Sequence, residues 1–155
     1  METSPTNSYL GQEKDIMSTI TDNTASNKSV NLVQRFYAAL AHGDTPGVLT
    51  LLHDNVHWTE AERFPYYSGT WVGPQAVHYN LLKRLAEDWE VFDAKADDFI
   101  VEGARVVSFG SYSGVYKKTG KSLLAPFAHL WAVQDEKIVS FRMYTDTAKV
   151  LDAMQ

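Results

Sequence analysis

Two side chains stand where proton-transfer chemistry could be done. Glu60 ends a short alternating run that puts Val56, Trp58 and Glu60 on one strand face and His57 and Thr59 on the other. If the first face lines a cavity, the carboxylate is partly desolvated, its pKa rises, and it becomes a better base near neutral pH. If it faces water, Glu60 is an inert strand-end acid. His129 alternates with Phe127 and Trp131 on one face of a later run, which fits a satisfied core histidine or a cavity acid/base group. Asp146 precedes Thr147-Ala148-Lys149-Val150-Leu151 and reads first as a helix N-cap. Arg142 and Tyr144 share its strand parity, and Arg142 can pair a cavity acid, a substrate carboxylate or an acid on the next strand. Proton abstraction beside a carbonyl needs such a base, and also a donor aimed at the developing oxyanion. Trp58, Trp71, Trp131, Phe127 and Tyr66 can serve as packing, as ligand walls, or as both.

Other chemistries have little support. There are no cysteines, which excludes disulfides, thiolate metal sites and cysteine nucleophiles. No metal is expected, since the ligands would have to be gathered from distant His, Asp and Glu; His53, His57 and His78 read as surface or packing residues. Neither a Gly-x-Ser-x-Gly elbow nor a glycine-rich phosphate loop occurs, so no cofactor is expected. With 14 basic and 19 acidic residues and a net charge of −5, the chain suits neither nucleic acid nor an anionic membrane. The densest apolar run, Val48-Leu49-Thr50-Leu51-Leu52, is far short of a membrane span, and no secretory leader is evident, so a cytoplasmic protein is expected.

The 155 residues suffice for one domain with a sizeable core. Residues 1–28 are polar, hold a single aromatic, Tyr9, and show no helical or strand period; a disordered tail is expected there, with Met17 a second candidate start. The domain should begin with a helix capped by Ser29, with Val30, Val33, Phe36, Tyr37 and Leu40 on one face and Gly43 at its end. A short helix follows Asp44-Thr45-Pro46, then the strand to Glu60, a loop from Phe64 to Gly69, a short strand over residues 70–72, and a third helix opened by Gly73-Pro74. The period then changes to two, giving strands over 91–96, 99–102, 106–116, 122–133 and 138–144 and a last helical turn over 146–154. Helices first and an antiparallel meander after them make an α+β fold, and a curved sheet wrapped on a long helix would enclose a cavity.

Taken together, Val33-Gln34-Arg35-Phe36-Tyr37 through Gly43-Asp44, then Val56-His57-Trp58-Thr59-Glu60, Gly69-Thr70-Trp71-Val72-Gly73-Pro74, His129-Leu130-Trp131-Ala132-Val133 and Phe141-Arg142-Met143-Tyr144 resemble the nuclear transport factor 2-like superfamily, in its SnoaL-like and ketosteroid-isomerase-like branch. The resemblance runs from Ser29 to Gln155 and implies a cone-shaped antiparallel sheet around N-terminal helices, an apolar small-molecule ligand, no cofactor, and a homodimer. It puts Glu60 at the place of the isomerases' general base and His129 at the place of their protonated Asp donor. Phe36 takes the place of their donor Tyr, with Tyr37 beside it. His129 and Asp146 are similar to the cavity His and late-sheet Asp of the cyclases. The implied activity is isomerisation or aldol-type cyclisation of an apolar carbonyl compound, with Glu60, His129 and Asp146 catalytic and Phe36, Trp58, Tyr66, Phe127, Trp131, Arg142 and Tyr144 lining the site. A non-catalytic binding or dimerisation domain of the same fold is the alternative.

Overall fold

The computed structural model describes residues 9–155. Its first helix, α1 (Tyr9–Ala41), begins well before Ser29, so the expected N-cap at Ser29 is corrected. Ser29 is an interior helical residue, 4% exposed. Once Val30 to Leu40 nucleate a helix against the sheet, each residue added upstream costs little. Thr19, Thr21 and Thr24 turn their hydroxyls back onto the carbonyls of Asp15, Met17 and Ile20. Ser26 Oγ accepts from the Gly103 N–H at 2.9 Å, which ties this turn of the helix to the sheet. Residues 1–8 of the expected tail lie outside the described residues; from Gly11 to Ala25 the helix is solvent-exposed.

Asp44 caps α2 (Thr45–Thr50) by accepting from the Gly47 N–H at 2.9 Å. Next come β1 (Leu52–Thr59), β2 (Thr70–Val72), and a helical segment made of α3 (Pro74–Val77), a π turn (His78–Leu82) and α4 (Lys83–Asp88). The rest is β3 (Trp89–Glu102), β4 (Arg105–Tyr116), β5 (Ser122–Gln134), β6 (Lys137–Thr145) and α5 (Thr147–Met154). The two strands expected over 91–102 are one, with an irregular register between Ala96 and Asp98. The strands form one curled sheet in the order β2-β1-β6-β5-β4-β3. Its pairs are antiparallel except β1 on β6, because β1 reaches the sheet from the helical side and not through a hairpin.

α1 packs in the hollow of the sheet against β3, β4 and β6. Period-two burial on β5 sends Leu123, Ala125, Phe127, His129 and Trp131 inward. On β4 the inward set alternates in size: Val106, Ser108, Gly110, Tyr112, Gly114, Tyr116. The glycines let β3 curl over β4. A Cβ on Gly110 would lie 1.9 Å from the Lys95 carbonyl oxygen, and one on Gly114 would lie 2.4 Å from that of Val91. The sheet therefore bends where β4 carries no side chain, and Tyr112, between the two glycines, points into the space enclosed by the bend.

Gly110→Ala should accordingly destabilise the fold by about 2 kcal/mol or more, because its clash is with main chain and not with a side chain that can rotate away. The drop in the urea midpoint measures it; an unchanged midpoint would mean that the β3–β4 approach is loose.

Candidate functional site

The hollow between the sheet, α1 and α4 is a cavity of about 370 Å³. This lies at the small end of the usual size for a bound small molecule. Its floor is formed by buried residues, among them Trp58, Glu60, Tyr112, His129 and Phe141. Its mouth is formed by exposed residues of the α1–α2 turn and of the α4–β3 junction.

Glu60 follows the last residue of β1 and keeps the inward parity of Val56 and Trp58. Trp58 Nε1 donates to Glu60 Oε1 at 2.6 Å, and Trp58 itself is stacked on Phe141 at 3.8 Å. The second carboxylate oxygen has no protein partner among the described residues and belongs to the cavity wall. Burial pushes the carboxyl up to about 7, and the Trp58 hydrogen bond opposes this in part. Glu60 is therefore poised to exchange a proton near neutrality.

His129 is stacked on Phe127 at 3.9 Å and held at both nitrogens. Nδ1 lies 2.6 Å from the Tyr37 hydroxyl and Nε2 2.5 Å from the Tyr112 hydroxyl. Burial pushes its pKa well below the ordinary histidine range, so the ring is neutral at physiological pH. Tyr37 is also 2.6 Å from Ser108 Oγ, which accepts from Trp131 Nε1 at 2.8 Å. Proton counting orients the Ser108 end of the chain. If Tyr37 donated to Ser108, the fully buried Ser108 hydroxyl would have no acceptor among the described residues, at a cost of about 1–3 kcal/mol. Two arrangements then remain. With the His129 proton on Nε2, Tyr37 O–H donates to Nδ1, Nε2–H donates to the Tyr112 oxygen, and the Tyr112 O–H is left over; with it on Nδ1, Tyr112 O–H donates to Nε2 and the Tyr37 O–H is left over. Either way one phenol of the cavity wall keeps an unclaimed proton. Glu60 is near enough for its charge to help raise the Tyr112 pKa, after burial as the larger cause.

Of the residues singled out in the sequence, Glu60, His129, Trp58 and Phe36 line the cavity. Asp146 does not: it is exposed and caps α5, with Oδ1 accepting from the Lys149 N–H at 3.3 Å. Arg142 and Tyr144 are exposed as well, because on β6 the inward residues are Phe141 and Met143. Phe127 and Trp131 pack behind the floor, one stacked on His129 and the other bonded to Ser108. Tyr66 is buried outside the cavity, donating to Asp88 Oδ2 at 2.7 Å and accepting from Trp89 Nε1 at 3.1 Å. Phe36 lines the wall but carries no donor, while its neighbour Tyr37 supplies the hydroxyl that holds His129. Tyr112 was missed by sequence reasoning. Its signal was the small–large alternation of Ser108, Gly110, Tyr112 and Gly114, which marks a face crowded by another strand. Among the described residues no cluster of His, Asp and Glu could hold a metal ion, and no helix is long and apolar enough to cross a membrane.

The SnoaL-like domain family matches residues 33–141, and the chain belongs to it. Among solved structures, an NTF2-like protein from Burkholderia thailandensis is 36% identical, with a TM-score of 0.77 over 81% of this chain and 95% of that one. An NTF2-like protein of unknown function from Burkholderia pseudomallei is 25% identical, with a TM-score of 0.76 over 83% and 98%. TerC, co-crystallised with polyporic acid, is 22% identical and shares the fold, with a TM-score of 0.74 over 82% and 98%. No curated protein matches.

A carboxyl that binds its proton more tightly when folded favours folding at low pH and loses that contribution as pH rises from about 4.5 to above 7. Glu60→Gln removes the penalty of burying a charge. The variant should be more stable than the parent at pH 8.5 by about 3 kcal/mol, the ordinary conversion of a shift of this size, and nearly equal to it at pH 4. Urea unfolding at the two pH values measures this; equal gaps at both would show that Glu60 titrates normally.

Proposed function

We propose that this SnoaL-like domain catalyses cofactor-independent proton transfer on an apolar carbonyl compound, in an isomerisation or an aldol-type cyclisation. The observation that carries the reading is the sharing of one apolar cavity by Glu60 and the Tyr112 hydroxyl, and the reading takes the His129 proton on Nε2, which leaves that hydroxyl free to donate. Glu60 takes a proton from the carbon beside the carbonyl. The electron pair of that C–H bond moves onto the carbonyl oxygen, giving an enolate. Tyr112 O–H hydrogen-bonds to the enolate oxygen, and the neutral His129 ring, itself bonded to Tyr37, fixes that hydroxyl in place. Glu60 then returns the proton to another carbon, or to the alkoxide of a new C–C bond. The aromatic walls exclude water, which keeps the enolate from random protonation. His129 thus acts through Tyr112 as a positioning residue, and Asp146 and Tyr144 take no part.

The same reading takes the protein as a cytoplasmic homodimer. Ile100, Phe109, Leu124 and Tyr144 are large hydrophobic residues exposed on the sheet's strands, and a second copy would cover them.

The test is deuterium incorporation beside the carbonyl of 2-tetralone, an apolar bicyclic ketone, followed by proton NMR in D2O. The exchange rate should rise with pH through about 7 as Glu60 loses its proton. Glu60→Gln should slow exchange by about 10²–10⁴-fold. Tyr112→Phe should slow it by about 10²–10³-fold, the usual scale for a lost oxyanion donor. A protein that binds the ketone and leaves its exchange at the uncatalysed rate would be a binding module.

A further inference from the structure

The charged side chains that line the cavity are all of one sign. They are Asp44, Glu60 and Glu90, and no Lys or Arg lines it. Glu60 lines the floor, 4% exposed, and its second oxygen has no hydrogen-bond partner among the described residues. Asp44 and Glu90 are exposed and stand at the mouth, one on the α1–α2 turn and one at the start of β3. Asp44 uses Oδ1 to cap α2, and its other oxygen has no partner among the described residues. Glu90 likewise makes no ion pair among the described residues, where the pairs are Lys83–Glu87 and Lys95–Asp97. Lys117 Nζ donates to the main-chain carbonyls of Ala86 and Glu87 at 2.8 Å, and Lys117 does not line the cavity. A carboxylate or phosphate on the ligand would meet the carboxylates of Asp44 and Glu90 at the mouth and find no Lys or Arg on the cavity wall.

We infer that the ligand is a cationic carbonyl compound: an apolar ring system against the aromatic walls, with a basic amine or quaternary ammonium group at the mouth between Asp44 and Glu90. Phe64 and Trp89 also line the cavity and offer apolar surface to the ring system. Acids, phosphate esters and anionic thioesters are disfavoured relative to neutral and cationic ligands. The orientation rests on the proposed role of Glu60 as the proton acceptor; the charge selection does not.

Three para-substituted acetophenones separate the possibilities: 4-acetyl-N,N,N-trimethylanilinium, its neutral isostere 4-tert-butylacetophenone, and the anion 4-acetylbenzoate, each titrated calorimetrically into the full chain. At low ionic strength the cation should bind about tenfold more tightly than the neutral ketone, and the anion about tenfold more weakly. Raising the salt to about 0.5 M should narrow both gaps. In the double variant Asp44→Asn with Glu90→Gln, where Asn keeps the helix cap, the ratio of cation to neutral affinity should fall to within about twofold. A neutral ketone that binds as well as the cation would overturn this inference and leave the proton-transfer reading standing. A cation preference that survives the double variant would also overturn it. Failure of all three probes to bind would overturn it together with the reading of the cavity, whereas selective binding of the cation without catalysed exchange of 2-tetralone would sink only the proposed chemistry.

Discussion

The site depends on a neutral imidazole clamped between two phenols. His129 cannot hold a charge where it sits, buried and stacked on Phe127, so each nitrogen must find its own neutral partner. Tyr37 of α1 and Tyr112 of β4 are those partners, and between them they tie the central helix to two strands of the sheet. The same chain of hydrogen bonds leaves one proton unclaimed, at the cavity. A structural requirement, that every buried polar atom be satisfied, therefore also leaves a hydroxyl donor at the cavity.

The second constraint is the close passage of β3 over β4. The sheet can enclose a cavity only if it bends, and it bends at Gly110 and Gly114 because any larger residue would meet the main chain of β3. That bend carries Tyr112 inward and brings the start of β3, with Trp89 and Glu90, round to the mouth. The carboxylate on the floor is held there against its preference for water. Trp58 bonds one oxygen and sits under Phe141, so the group is fixed in position while its charge stays costly. A base that is both immobile and reluctant to ionise at low pH fits proton transfer near neutrality better than it fits packing.

Much of this was legible in the sequence for a simple reason: period-two alternation shows which strand residues share a face. It placed Val56, Trp58 and Glu60 together, and Phe127, His129 and Trp131 together, and the structure turns both sets inward. On β6 the alternation also held, since Arg142, Tyr144 and Asp146 are all exposed; what failed was the assignment of that face to the cavity, for the inward residues are Phe141 and Met143. Asp146 is an N-cap, the simplest reading of an Asp before a helical run. The clamp itself was not legible, because Tyr37, Tyr112 and His129 lie far apart in the chain and no local pattern links a hydroxyl to a ring nitrogen. The start of α1 was missed because residues 11–25 bury little, and helical period is read from burial.

The measurement that bears most directly on the account is nitrogen-15 NMR of the His129 ring across pH 5 to 9. The account requires a neutral ring throughout, with the proton on Nε2 toward Tyr112 and Nδ1 an acceptor from Tyr37. A ring that became doubly protonated near pH 6.5, or one that carried its proton on Nδ1, would contradict it, since Tyr112 would then have no spare proton directed at the cavity.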